Sequence, residues 1–131
     1  MLIDDLKKKH VELANIFLKI KELGISSKEG QEKLLSAKEE LLAHLKYEDE
    51  HLYPFLRKEA EKDGGLRNLL ETFAKDMDRI SKSALDFFAK YSNGGSTSEF
   101  AKEIVILMSS ISKRNKLEEH FLYPEYIARK K

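Results

Sequence analysis

The sequence predicts an all-α protein, folded as an antiparallel four-helix bundle with up-down-up-down topology. Apolar residues recur every three or four positions over long stretches, which is typical of amphipathic helices. No stretch alternates with the period of two that a strand requires. Charged residues make up 36% of the 131 residues, with only two prolines and six glycines, a composition typical of long helices with charged outer faces. This length predicts one domain over residues 1–131.

Three short glycine-containing segments separate four predicted helices. These helices span roughly residues 2–23, 27–61, 65–91 and 97–129. Capping boxes, Ser26-x-x-Glu29 and Ser96-x-x-Glu99, are predicted to begin the second and fourth helices. Because the connections are too short for a crossover, consecutive helices should run antiparallel.

Each predicted helix carries one apolar seam that would line a shared core. The seams are Ile3, Leu6, His10, Leu13, Phe17 and Ile20; Leu34, Ala37, Leu41, His44, Glu48, His51 and Phe55; Leu66, Leu70, Phe73, Met77, Ile80, Ala84, Phe87 and Tyr91; and Phe100, Ile104, Leu107, Ile111, Arg114, Glu118 and Phe121. The polar exceptions are His10, His44, Glu48, His51, Arg114 and Glu118. Counting along the helices from the loops places these side chains at similar levels of the bundle. A buried carboxylate needs a cation or hydrogen-bond donors, so they predict one polar pocket between the helices.

The second and fourth helices also share a weak repeat. His44–Pro54 aligns without a gap with Arg114–Pro124, so that Glu48 matches Glu118. The proline that ends each repeat removes a backbone donor and should kink or end its helix nearby. Both helices are therefore expected to present a glutamate to the bundle centre in the same way.

Histidine and glutamate side chains from separate helices can hold iron or manganese in a bundle core. His44 and Glu48 are four residues apart, which puts both on one helix face and near enough for one metal ion. His51 lies on the same predicted seam. It would act as a substitute ligand or, more readily, as a hydrogen-bonded histidine beside the site.

In these residues the sequence resembles the hemerythrin-like, or HHE cation-binding, domains along essentially the whole chain. The resemblance rests on His10, on His44-x-x-x-Glu48 with the following Leu52-Tyr53-Pro54, and on Glu118–Pro124. It implies a four-helix bundle that holds a non-haem di-iron centre, bridged by two carboxylates and otherwise held by histidines. Known roles of the family are reversible dioxygen binding, sensing of oxygen, iron or redox state, and repair of iron–sulfur centres.

The sequence departs from the family pattern on one side of the implied centre. The third helix has no histidine and carries Phe73 and Met77 on its seam, and Arg114 stands where a fourth-helix histidine is expected. By the resemblance, the missing histidines serve one iron, whereas His10 and His44 serve the other. Half of a di-iron site is therefore absent, and a complete oxygen-carrying centre is not expected.

Two interpretations fit the residues that remain. In the favoured one, a single metal ion, iron, is held by His10, His44, Glu48 and Glu118, and Arg114 offsets charge where the second ion would lie. The expected role is sensing, storage or binding of a small ligand such as dioxygen, rather than catalysis, since no nucleophile–base set is visible.

The alternative interpretation is a metal-free structural or interaction bundle. There Arg114, a planar cation with five donors, would bridge Glu48 and Glu118 in place of the metal. Met77 would fill the remaining space as a flexible apolar plug.

Composition excludes several other functions. A net charge of +1 does not favour nucleic acid or an anionic membrane as partner. The absence of cysteine removes disulfides, thiolate nucleophiles and cysteine-ligated clusters. No signal peptide and no membrane-length apolar run is visible, so a cytoplasmic location is expected. The sequence does not indicate a protein partner.

Overall fold

The computed structural model describes residues 2–130 and shows the predicted all-α bundle. Its elements are α1 (Leu2–Leu23), α2 (Lys28–His51), α3 (Tyr53–Ala60), α4 (Gly64–Tyr91), α5 (Thr97–Leu117), a π-helical turn (Glu118–Leu122) and α6 (Tyr123–Arg129). Helix α3 continues the wall begun by α2, and α6 continues the wall begun by α5, so the bundle has four walls. None of the helices in the described part of the chain is long and apolar enough to cross a membrane.

The first loop packs tightly against the start of α2. Gly24 has a φ of 74°, a left-handed conformation that ends α1, and its N–H donates to the carbonyl of Ile20 at 2.8 Å. A Cβ atom added to Gly30 would lie 1.9 Å from the carbonyl oxygen of Gly24. Position 30 therefore has no room for a side chain.

Serine side chains cap the second and fifth helices. Ser96 caps α5 and accepts a hydrogen bond from the Glu99 N–H, as predicted. The cap of α2 is Ser27, which accepts from the Gly30 N–H at 3.0 Å, so the prediction of Ser26 was wrong by one residue. Both hydroxyls satisfy a backbone donor that has no partner within its helix.

Both prolines begin a new helix after a distortion of the preceding one, which confirms the predicted kinks. The wall of α2 is interrupted at Leu52, and Pro54 lies in the first turn of α3. In the other wall the π-helical turn Glu118–Leu122 precedes Pro124, which lies in the first turn of α6. A proline has no N–H to continue the helical ladder, so the break falls just before it.

Two apolar clusters fill the bundle, and a polar layer separates them. The cluster at the end of the first and third loops includes Leu13, Phe17, Leu34, Leu41, Ile80, Phe87, Ile104 and Ile111. The cluster at the opposite end includes Ile3, Leu6, Leu52, Leu56, Leu66, Leu70, Phe73 and Leu122. The layer between them consists of His10, His44, Glu48, Arg114 and Glu118, all buried. The bundle thus encloses charged groups at its middle, as the seam pattern predicted.

Two residues of the predicted seams lie outside the core. His51 and Phe121 are exposed, whereas the residues that follow them, Leu52 and Leu122, are fully buried. At His51 the seam continues four residues beyond Glu48 rather than three, because Leu52 gains more from burial than an imidazole does. At Phe121 the seam likewise continues four residues beyond Glu118, so the inward position is Leu122.

Candidate metal centre

The polar layer brings together side chains from three of the four walls. Helix α1 supplies His10, α2 supplies His44 and Glu48 from successive turns of one face, and the π-helical turn supplies Glu118. Glu48 and Glu118 are 0% and 1% exposed, and the two histidines are nearly as well buried. All four residues predicted as ligands therefore lie in one layer of the core.

His10, His44 and Glu48 form the tightest group. One possible ligand atom from each lies within 4.8 Å of the corresponding atoms of the other two. Oε1 of Glu48 lies 2.5 Å from Nε2 of His44 and 4.0 Å from Nε2 of His10. Two imidazole nitrogens and a carboxylate oxygen thus face one point from two different helices, as the ligands of a single ion do.

Glu118 joins this group through His10. Its Oε1 lies 3.7 Å from Nε2 of His10, and its Oε2 accepts a hydrogen bond from the Tyr53 hydroxyl at 3.4 Å. One carboxylate oxygen therefore faces the histidines, and the other faces the Arg114 side of the layer.

The strongest sign of an ion site is a set of buried polar atoms without partners. Both oxygens of Glu48 and both ring nitrogens of His44 have no hydrogen-bond partner within the described structure. Their mutual contact is too poorly aligned to be a hydrogen bond. A buried carboxylate without a partner costs free energy that a coordinated cation would recover, so these residues fit a metal ion.

Burial shifts the pKa of every possible ligand in a direction that suits this chemistry. It raises the pKa of Glu48 above its ordinary value of 4.5, and it raises the pKa of Glu118 further, with the neighbouring Glu48 adding to the effect. It also lowers the pKa of His10 and of His44 below 6.5. Both imidazoles are therefore neutral near pH 7, which is the form that binds metals, and a cation would stabilise both carboxylates in their charged form.

His10 is oriented by two residues near the start of α6. The Nδ1–H of His10 donates to Oε2 of Glu119 at 3.1 Å, which leaves Nε2 with the lone pair. The Tyr123 hydroxyl donates to that same Nε2 atom at 3.1 Å. The nitrogen that faces Glu48 and Glu118 therefore carries the lone pair, and a cation bound there would take the place of the Tyr123 hydroxyl hydrogen.

Glu119 was missed in the sequence because the α-helical pattern placed it off the seam. The π-helical turn has more residues per turn, which lets Glu118 and Glu119 both reach the neighbourhood of His10. Tyr123 was visible in the repeat, where it matches Tyr53, but its contact with His10 was not predicted. The repeat of adjacent acidic residues, Glu48-Asp49 and Glu118-Glu119, was the available signal.

Arg114 occupies the opposite side of the layer. Its Nη1 donates to the Phe73 carbonyl at 3.0 Å, its Nη2 donates to the Tyr53 hydroxyl at 2.9 Å, and its guanidinium lies 5.1 Å from the Phe73 ring centroid. The nearest approach to Glu118 is 4.0 Å, without a hydrogen bond, and no ion pair with Glu48 occurs within residues 2–130. The predicted bidentate bridge between the two glutamates is therefore not formed, because the guanidinium is held towards α3 and α4.

A small cavity lies between Arg114 and the possible ligands. Its volume is about 20 Å³, enough for one water-sized particle, and His44, Glu48, Arg114 and Glu118 are among its lining residues. His10 does not line it. The cavity is thus on the Arg114 side of the histidine pair.

The other two predicted residues lie away from this group. The His51 side chain is 51% exposed and packs on the Tyr47 ring, with the two ring centroids 4.4 Å apart. Met77 is half-buried and packs against the apolar cluster that contains Phe73. Neither side chain is brought to the group of His10, His44 and Glu48.

The helical bundle, with histidines and glutamates converging in its core, places this chain in the class of helical metal-binding proteins. Within that class, the family model for the hemerythrin HHE cation binding domain matches residues 1–126, and the chain belongs to this family. Searches of curated proteins and of solved structures found no significant match. The resemblance read from the sequence is thus confirmed.

The residues do not fit the second ion of a di-iron centre. The positions at which the family resemblance would place its histidines carry Phe73, Met77 and Arg114. The side chains of Phe73 and Met77 have no nitrogen or oxygen atom that could bind a metal ion. Arg114 is a buried cation that would repel one. Among the described residues, one group in this layer, His10, His44 and Glu48, could hold a metal ion.

Proposed function

We propose that this chain binds one metal ion, iron, through His10, His44, Glu48 and Glu118. The observation that carries the proposal is the fully buried Glu48 carboxylate, which has no hydrogen-bond partner among residues 2–130 and faces the imidazoles of His10 and His44. Membership of a cation-binding family supports it independently. The role that fits such a site is sensing, storage or binding of a small ligand.

Each residue has a distinct task in this proposal. His10 and His44 supply neutral nitrogen ligands, and Glu119 fixes the tautomer of His10. Glu48 and Glu118 supply oxygen ligands whose charges balance a divalent ion. Imidazole with carboxylate suits iron, manganese or zinc, and the family resemblance favours iron. When bound, iron would supply a redox-active centre able to take a small ligand such as dioxygen.

The metal-free alternative is less well supported. It needs Arg114 to neutralise both glutamates, but this side chain donates to Tyr53 and Phe73 and leaves Glu48 unpaired. The 4.0 Å distance between Nη2 of Arg114 and Oε2 of Glu118 favours the alternative. Arg114 therefore does not satisfy Glu48, which supports a bound metal ion at this carboxylate.

Elemental analysis of the protein tests the proposal. Protein purified from iron-supplemented cells, or reconstituted without oxygen from the metal-free form, is expected to contain about one metal ion per chain. His44→Ala should lose this metal, whereas His51→Ala should retain it because His51 is exposed. A content below about 0.1 per chain in the wild-type protein, unchanged by reconstitution, would contradict the proposal.

A further inference from the structure

We propose that Arg114 and the cavity beside it form a subsite for a small monoanion of one or two heavy atoms, adjacent to the metal ion. This inference rests on the proposed function, because the metal supplies part of the positive charge. Arg114 would thus bind an anion rather than only occupy the place of a missing histidine.

The size and lining of the cavity define what it can hold. Its volume of about 20 Å³ accepts one particle the size of a water molecule. Besides the charged layer, it is lined by Ser81 and Asn115, whose side chains can donate hydrogen bonds, and by apolar residues such as Ile80 and Ile111. Carboxylic acids and tetrahedral oxyanions are too large for this space.

One nitrogen of the Arg114 guanidinium is buried without a hydrogen-bond partner among residues 2–130. Its Nη1 and Nη2 groups are engaged by Phe73 and Tyr53, but its Nε–H has no partner within the described residues. The side chain is 4% exposed and is held in place by these contacts. A buried charged donor without a partner is costly, and an acceptor in the neighbouring cavity would satisfy it.

Charge balance in the buried layer favours an anion over a water molecule. In the metal-loaded protein, the two carboxylate ligands balance the charge of a divalent ion, and the buried guanidinium of Arg114 leaves one positive charge over. A monoanion beside Arg114 neutralises it. Asp76 lies 3.9 Å from Nη1 of Arg114, but it is partly exposed and does not line the cavity, so solvent screens its charge.

Fluoride is a suitable probe, since it is about the size of water and carries one negative charge. Isothermal titration of the metal-loaded protein, with metal content measured on the same sample, is expected to show saturable binding of one fluoride per chain. Acetate at the same concentration should not compete. Arg114→Lys is expected to weaken fluoride binding at least about tenfold while retaining metal, whereas the exposed Arg57→Lys should leave it unchanged.

The outcomes separate this inference from the proposed function. Full metal content without fluoride binding overturns the anion subsite alone, as does undiminished binding in a metal-loaded Arg114→Lys variant. Competition by acetate in the wild-type protein overturns the size assignment and requires no variant to fold. Metal content below about 0.1 per chain overturns the proposed function and the inference with it.

Discussion

Replacement of Glu48 by glutamine is expected to abolish metal binding and to stabilise the metal-free protein. A neutral amide cannot balance the charge of an ion, so metal content should fall from about one to below about 0.1 per chain. Without metal, the wild-type chain buries a carboxylate that has no hydrogen-bond partner in the part of the chain that the structure describes. Removing its charge should raise the free energy of unfolding by about 1 kcal/mol or more, measured by urea denaturation.

The stability gain of Glu48→Gln should depend on pH in a defined direction. Burial raises the pKa of Glu48 above 4.5, so the folded state holds this proton more tightly than the unfolded state. The metal-free wild type therefore loses stability as pH rises above 4.5 through the folded-state pKa, and the variant does not incur this loss. The difference between the two unfolding free energies should thus be small below pH 4.5 and grow above it.

A matched control for this variant is Glu50→Gln. The Glu50 side chain is 55% exposed and lies 3.9 Å from the Lys46 ammonium, so the change should alter stability by less than about 0.5 kcal/mol and leave metal content intact. Full metal content in Glu48→Gln would contradict the assignment of Glu48 as a ligand. A metal-free variant less stable than wild type near pH 7 would show that the carboxylate is already satisfied.

Replacement of Arg114 by methionine is expected to destabilise the protein by about 3–5 kcal/mol, because it removes one member of a buried charged group. The Phe73 carbonyl and the Tyr53 hydroxyl would each lose a donor that lies within 3.0 Å, and Glu118 would lose its nearest cation. Methionine fills a similar volume, so the loss would reflect charge and hydrogen bonding rather than a void. Urea denaturation of the metal-free proteins measures it.

Two further variants isolate the electrostatic part of this effect. Arg57→Met removes an exposed arginine and should change stability by less than about 0.5 kcal/mol. The double variant Arg114→Met/Glu118→Gln should recover part of the loss, since it no longer leaves Glu118 without its cation. Equal stability of Arg114→Met and wild type would mean that the guanidinium contributes nothing to the folded layer.

Much of the fold could be predicted because its determinants are local. Spacings of three and four residues place Leu34, Leu41 and Ile104 in the core, and the Ser96 hydroxyl fixes the start of its helix through a contact three residues away. The burial of Glu48 followed from the same spacing. The polar layer was thus visible in the sequence as a set of exceptions to an apolar pattern.

The parts that could not be predicted depend on helix distortion and on contacts between distant segments. A π-helical turn is not encoded by simple periodicity, so Glu119 was overlooked. Phe121 was placed inside because the periodicity allows a step of three or of four residues after Glu118. The direction of the Arg114 guanidinium depends on a carbonyl of α4 and a hydroxyl of α3, which only the folded chain brings near. Sequence spacing places a residue on a face but does not choose its partners.

Anomalous scattering from a crystal of the metal-loaded protein is the most direct measurement of the central claim. We expect one anomalous peak per chain, at about 2.0–2.2 Å from Nε2 of His10, Nε2 of His44 and carboxylate oxygens of Glu48 and Glu118. Data collected on both sides of the iron absorption edge would identify the element. A layer without a peak in protein exposed to excess metal, with the Glu48 carboxylate hydrogen-bonded to protein or water instead, would contradict the assignment.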